Sequence, residues 1–186
     1  IDPDLSADIP DHLRSDVVFV GHFQPHYAQL LRAAAAAGPL SIWGPGWGEY
    51  AKANPWAQTV VRGPGLYGAD YARALAGAKI AIGLLSKRVP ETTTTRSFEI
   101  PAMGTLLLAE RTADHLALFD EGHEAVFFEG PEELTEKIQR YLKDTAARRR
   151  IALAGQHRCQ TDGYATAQQF SRITDWLERE NPPAAS

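Results

Sequence analysis

Six short apolar runs, separated by helix-forming stretches or by glycine and proline punctuation, constrain this chain more than any other feature. The first, Asp16-Val17-Val18-Phe19-Val20-Gly21, is almost continuous in β-branched and apolar residues, the pattern of a strand buried on both faces. Strands of that kind belong to parallel sheets, whose neighbours are joined by crossover helices. His26 to Ala37 supplies such a helix, stopped by Gly38-Pro39, and Leu40-Ser41-Ile42-Trp43 follows as the next strand. Further strands are expected at Thr59–Arg62, Lys79–Leu85, Thr105–Glu110 and His123–Phe128. The alternation predicts an α/β chain with a doubly wound, mainly parallel six-stranded sheet of Rossmann-like type, in one domain over residues 16–180.

The connections carry their own signals. Ala69 to Ala76 is helical in composition, Thr112 is placed to cap a helix running through Phe119, and Pro131-Glu132-Glu133 opens another. In that last helix Leu134, Ile138, Tyr141 and Leu142 form one apolar stripe, while Glu133 with Lys137 and Glu136 with Arg140 read as solvated pairs. Two more helices are expected over 145–159 and 165–180, the second buried through Phe170, Ile173 and Leu177. Gly44-Pro45-Gly46-Trp47-Gly48 reads as a turn with no helix starting on it. Trp47, Tyr50 and Trp56 read as cover for a surface cleft or a partner domain. The chain opens on Ile1, and residues 1–15, acidic and proline-broken, read as a linker or a segment from an upstream N-terminal domain, with 181–186 as a disordered tail.

Charge and special residues exclude several classes. A net charge of -4 gives no basic footprint for nucleic acid, and Arg148-Arg149-Arg150 reads as a solvated helix face. The single cysteine, Cys159, cannot form an internal disulfide; it reads as an inert thiol and fits a cytoplasmic, reducing setting. No apolar run approaches the roughly 20 residues of a spanning helix. His22 and His26 have Pro25 between them and no third ligand nearby, so no metal site is assigned. Nucleophile-elbow, P-loop and H-E-x-x-H patterns are missing too.

Candidate chemistry concentrates in Thr92-Thr93-Thr94-Thr95-Arg96-Ser97-Phe98-Glu99-Ile100-Pro101-Ala102-Met103-Gly104. Pro101 is tolerated only in a first helical turn, so the helix should start near Ser97, with Thr95, Arg96 and Glu99 at its tip and Gly104 as its stop. Backbone N–H groups at that tip and the Arg96 guanidinium suit a diphosphate, and the Glu99 carboxylate suits vicinal hydroxyls. On residue types alone a second reading stands beside this one: Arg96 and Glu99 as a plain i,i+3 surface pair. Lys87 and Arg88, in a long polar loop after a parallel strand, are secondary phosphate candidates. Tyr67 offers either a stacking face or simple packing.

The stretch Arg96 to Gly104, the leucine-rich strand after it and Leu118-Phe119-Asp120-Glu121-Gly122-His123-Glu124 resemble the CgeB-like glycosyltransferases. Those enzymes are similar to the group 1 (family 4-type) glycosyltransferases of the two-domain GT-B architecture. The similarity runs from about Asp16 to about Glu180 and is densest from Arg96 to Tyr141. It implies the C-terminal donor-binding half of a metal-independent glycosyltransferase whose donor is a nucleotide-diphosphate sugar, with no cofactor. By the same resemblance Glu99 would hold the ribose, and Arg96 with the N–H groups around Thr95 and Ser97 would hold the diphosphate. Gly21 and His22 fall where the family brings further groups to the diphosphate, and the loop Gly63 to Tyr67 falls against the nucleobase. The broader group's Glu-x7-Glu pattern also asks for a first catalytic glutamate. Glu91 is the only acidic residue near it and reads as one position off that spacing, so no catalytic residue is assigned. The acceptor would sit largely on the missing N-terminal domain, leaving this piece alone weakly active or inactive. Two alternatives remain at this level: a noncatalytic GT-B-like domain that binds protein through an exposed patch of Trp43, Trp47 and Trp56, and an unrelated nucleotide-binding enzyme such as an epimerase.

Overall fold

In the computed structural model, which describes residues 8–164 together with Ser171, Thr174 and Asp175, the apolar runs become the six strands of one sheet. They are β1 (Ser15–Val20), β2 (Leu40–Trp43), β3 (Val61–Gly63), β4 (Ala78–Gly83), β5 (Leu106–Glu110) and β6 (Val126–Phe128). Their order is β3-β2-β1-β4-β5-β6, and every neighbouring pair is parallel. The chain winds outward from β1 to β3, returns to place β4 on the other side of β1, and winds outward again. That reversal makes a switch point between β1 and β4, where the loops leaving the two strands part and leave a crevice.

Alternation along each strand divides the core into two layers. Phe19, Ile42, Ile80, Ile82, Leu106 and Leu108 face one layer, covered by α1 (Pro25–Ala37) and α7 (Pro131–Lys143). Val18, Ala81, Leu107, Ala109 and Phe127 face the other, with Leu75 of α4 (Gly68–Ala76), Ile100 of α5 (Arg96–Ala102) and Cys159 of α8 (Thr145–Thr161). Each fully buried Leu or Ile contributes about 1.5–3 kcal/mol, so strands buried on both faces anchor whatever their ends carry. Thr112 caps α6 (Ala113–Leu118) as expected, its hydroxyl oxygen accepting the His115 N–H at 3.0 Å. Ile9 and Leu13, ahead of β1, pack with Ala74.

Several local expectations are corrected. Gly46, at φ +84, turns the chain straight into α2 (Trp47–Lys52), so a helix does begin on the glycine-rich turn. Trp47 is fully buried, and its indole N–H donates to the Gly21 carbonyl at 2.9 Å. It is a core residue, not surface cover. Thr59 and Val60 end α3 (Pro55–Val60), begun by Pro55 at its first turn, which shortens β3. His123 to Ala125 belongs to the turn before β6, set by Gly122 at φ +78. Arg148 is only 7% exposed, and its guanidinium donates to the Tyr141 and Leu142 carbonyls at the end of α7. Glu133 and Lys137 do pair, at 2.7 Å, but in a half-buried network with Arg111 and Glu121 rather than in solvent. The Arg111 guanidinium there holds the Glu133 carboxyl down to about 2. Cys159 is buried, which pushes its thiol up to about 11 and keeps it unreactive. The helix expected over 165–180, its residues Phe170, Ile173 and Leu177, the 181–186 tail and residues 1–7 lie outside the described residues.

Candidate functional site

The crevice at the switch point has a volume of about 290 Å³. Gly21 and His22 enter it from β1, Gly44 and Pro45 from β2, Gly65 to Gly68 and Tyr71 from the start of α4, and Thr95, Arg96 and Glu99 from α5. Six of the positions singled out in sequence, Gly21, His22, Tyr67, Thr95, Arg96 and Glu99, therefore share one wall system although they span 79 positions (99 minus 21, plus 1) of the chain.

Arg96 and Glu99 do not pair. The Arg96 Nε–H donates to the Val20 carbonyl at 2.7 Å, which lays the side chain along the end of β1. Its second terminal nitrogen comes within 3.2 Å of where a β-carbon on Gly21 would stand. Among the described residues no carboxylate forms an ion pair with Arg96 and no cation forms one with Glu99. Instead Glu99 Oε2 accepts the Tyr71 hydroxyl at 2.6 Å. The plain i,i+3 surface pair is thus not formed. A half-buried guanidinium and a half-buried carboxylate, each without a counter-charge, line the same crevice. Unneutralised opposite charges a short way apart suit a ligand with an anionic end and a hydroxyl-bearing end.

Other predicted positions fall elsewhere. Lys87 is held by Glu110, Nζ to Oε2 at 2.6 Å, and does not line the crevice. Gly63 ends β3 against the Trp43 ring, and Gly65 takes the place in the wall. Ser97 is 2% exposed and turned inward. Its backbone N–H, with those of Phe98 and Glu99, goes to the carbonyls of Thr94 and Thr95 at 3.0, 3.0 and 2.9 Å. Thr95 is already helical, so this preceding turn uses N–H groups that sequence reasoning left for a ligand. Arg96 itself carries the positive charge of this wall.

Two features escaped the sequence reading, and the spacing of a third was misjudged there. Tyr71 is one, although its spacing of four from Tyr67 at the start of a helix puts both on one face. The second is a buried relay. The Thr94 N–H donates to Ser97 Oγ at 3.1 Å, Ser97 Oγ meets His115 Nε2 at 2.7 Å, and His115 Nδ1 meets the Glu110 carbonyl at 2.7 Å. Because a carbonyl only accepts, the network assigns the proton to Nδ1 and makes Nε2 the acceptor of the Ser97 hydroxyl. Burial pushes the His115 pKa down, in keeping with a neutral ring that ties the first turn of α5, through Ser97, to the end of β5. The third is Glu91. Seven residues separate it from Glu99, so the Glu-x7-Glu spacing is met in sequence, while its carboxylate accepts the Ser86 N–H at 2.7 Å.

A second, larger groove of about 660 Å³ opens at the amino ends of the strands, lined by Arg14, Asp16, Arg62 and Lys79 among others. Lys79 is already paired there with Asp16 at 2.6 Å. None of the sequence-predicted positions lines it. Among the described residues no group of three His, Cys, Asp or Glu side chains is placed to hold a metal, and no helix is long and apolar enough to cross a membrane.

A family model described as glycosyl transferase-like matches residues 24–175, well over half of the 186. No curated protein matches the sequence. Among solved structures, Anabaena HepE in complex with UDP-glucose superposes with a TM-score of 0.76 at 17% identity, covering 96% of this chain and 54% of HepE. A glycosyltransferase from Rickettsia africae gives 0.73 at 15% identity, covering 96% and 52%. Sucrose-phosphate synthase from Thermosynechococcus elongatus gives 0.67 at 18%, covering 96% and 49%. The chain spans about half the length of these structures, and what it shares with them at such identities is the fold.

Proposed function

The chain belongs to the glycosyl transferase-like family and has the Rossmann-like half of a GT-B fold, and on that premise we propose that it is the donor-binding half of a glycosyltransferase of CgeB-like type. It takes a sugar from a nucleotide-diphosphate donor and passes it to an acceptor held mainly by a separate N-terminal domain. The single observation that carries this reading is the placement of Arg96 and Glu99, unpaired with each other, in the crevice at the sheet's switch point.

Roles follow from chemistry. The Arg96 guanidinium faces the diphosphate and stabilises the charge that grows on it as the sugar departs, the kind of interaction that lowers a barrier because it strengthens in the transition state. Gly21, His22 and Thr95 bring polar groups to the same phosphates. Glu99 accepts hydrogen bonds from the ribose. Tyr67, 75% exposed at the mouth, offers its ring to the base. Protein cations do the work a metal would do, so the reaction needs neither metal nor cofactor. We assign it to the cytoplasm, in keeping with a single, buried cysteine. The noncatalytic alternative asked for an exposed patch of Trp43, Trp47 and Trp56, and the burial of Trp47 removes its centre.

Calorimetric titration with UDP and GDP tests the reading. Glu99→Ala is expected to weaken the preferred nucleotide about tenfold or more, the scale of hydrogen bonds to a charged group. Equal affinity in the variant would take the ribose away from Glu99. The same 186-residue chain is expected to transfer little or no sugar by itself.

A further inference from the structure

Half of the Glu99 carboxylate is already engaged before any ligand arrives. The Tyr71 hydroxyl donates to Oε2 at 2.6 Å, from α4 on one side of the crevice to α5 on the other. The Tyr71 ring packs on the apolar layer beneath, so the hydroxyl has little freedom to follow a wandering carboxylate. Burial first, and the hydrogen bond to Glu99 second, hold the phenol proton well above its ordinary range, and the hydroxyl remains a donor at any working pH. A glutamate free to rotate would lose side-chain entropy on meeting a ligand, whereas one fixed by a neighbour has lost it on folding. With Oε2 engaged, the carboxylate of Glu99, which lines the crevice, keeps Oε1 as an acceptor for a ligand.

Resting on the donor-binding reading above, we propose that Tyr71 is a positioning residue: it presents the Glu99 carboxylate to the vicinal hydroxyls of the donor's ribose and so makes the crevice prefer ribonucleotides over 2′-deoxyribonucleotides. Tyr71 acts through Glu99 and does not itself touch the nucleotide.

The test is to titrate UDP and 2′-deoxy-UDP into the wild-type chain, Tyr71→Phe and Glu99→Asp, with thermal unfolding as a check on folding. Phenylalanine keeps the packed ring and removes only the donor. Aspartate withdraws the carboxylate from the Tyr71 hydroxyl by one methylene. The wild type is expected to favour UDP about tenfold or more, a ratio set by hydrogen bonds to a charged group. In both variants most of that preference is lost, because UDP loses the 2′-hydroxyl contact with Glu99, while 2′-deoxy-UDP, which has only its 3′-hydroxyl to offer the same carboxylate, weakens by less. A merely structural role would weaken both nucleotides alike and leave the ratio as it was. An unchanged ratio in a folded Tyr71→Phe overturns the positioning role and leaves the donor-binding reading standing. If that variant does not fold, an unchanged ratio in a folded Glu99→Asp overturns it too, and takes the ribose away from Glu99 as well. No UDP binding by the wild type overturns both together.

Discussion

Gly44→Ala is expected to destabilise the chain by about 3 kcal/mol or more, at the upper end for an overpacked site. A β-carbon there would lie 1.9 Å from the Gly21 carbonyl oxygen and 2.6 Å from its carbon, both backbone atoms. The carbonyl cannot swing aside cheaply. It accepts the buried Trp47 indole N–H at 2.9 Å, and the Gly21 N–H donates to the Trp43 carbonyl at 2.9 Å. Moving Gly21 would leave a buried donor unsatisfied and pull at the pairing of β1 with β2. Urea unfolding checks this, with Gly48→Ala as the control. Gly48 lies within α2, and a β-carbon there meets nothing within 4 Å. The control should hold or gain stability, by up to about 1 kcal/mol from helix propensity. A Gly44→Ala midpoint equal to wild type would mean that the two strand ends are further apart than described.

Arg96→Met carries the second large effect. Methionine keeps the apolar stem but removes both the charge and the Nε–H bond to Val20, so affinity for UDP is expected to fall about 100-fold, in line with loss of charge-assisted hydrogen bonds. Uridine, which lacks the phosphates, should bind nearly as before, and raising the salt should shrink the wild-type advantage for UDP. Calorimetry on the two ligands separates the cases. If both weaken equally, Arg96 serves to hold the end of β1 and not to bind anions.

Which parts of this were legible in the sequence follows from how local their causes are. β1, β4 and β5 announce themselves because strands buried on both faces need unbroken apolar runs, and Asp16 to Gly21 is such a run. The start of α5 fell one residue from where it was expected, but not for the reason given: Pro101 lies inside the helix, past its first turn and next to its last residue, Ala102. Thr59 and Val60 misled because β-branched residues favour strands, yet Pro55 had already started a helix that carries them. Trp47 and Arg148 were read as surface residues because their types allow it. Their partners, the Gly21 carbonyl and the end of α7, follow only from the tertiary fold. Lys87 was a reasonable phosphate ligand until Glu110, 23 positions on, claimed it. Tyr71 and Glu99 are 28 positions apart, and no periodicity links them.

The central claim is that the carboxyl-end crevice, and not the larger amino-end groove, takes a nucleoside diphosphate. Amide chemical-shift mapping of the chain during a titration with UDP addresses it most directly. Shifts gathered on Gly21, His22, Gly65, Tyr67, Thr95, Arg96 and Glu99 are the expected result. Shifts gathered instead on Arg14, Arg62, Gly77 and Lys79 around the opposite groove, or no shifts at saturating UDP, would contradict the account.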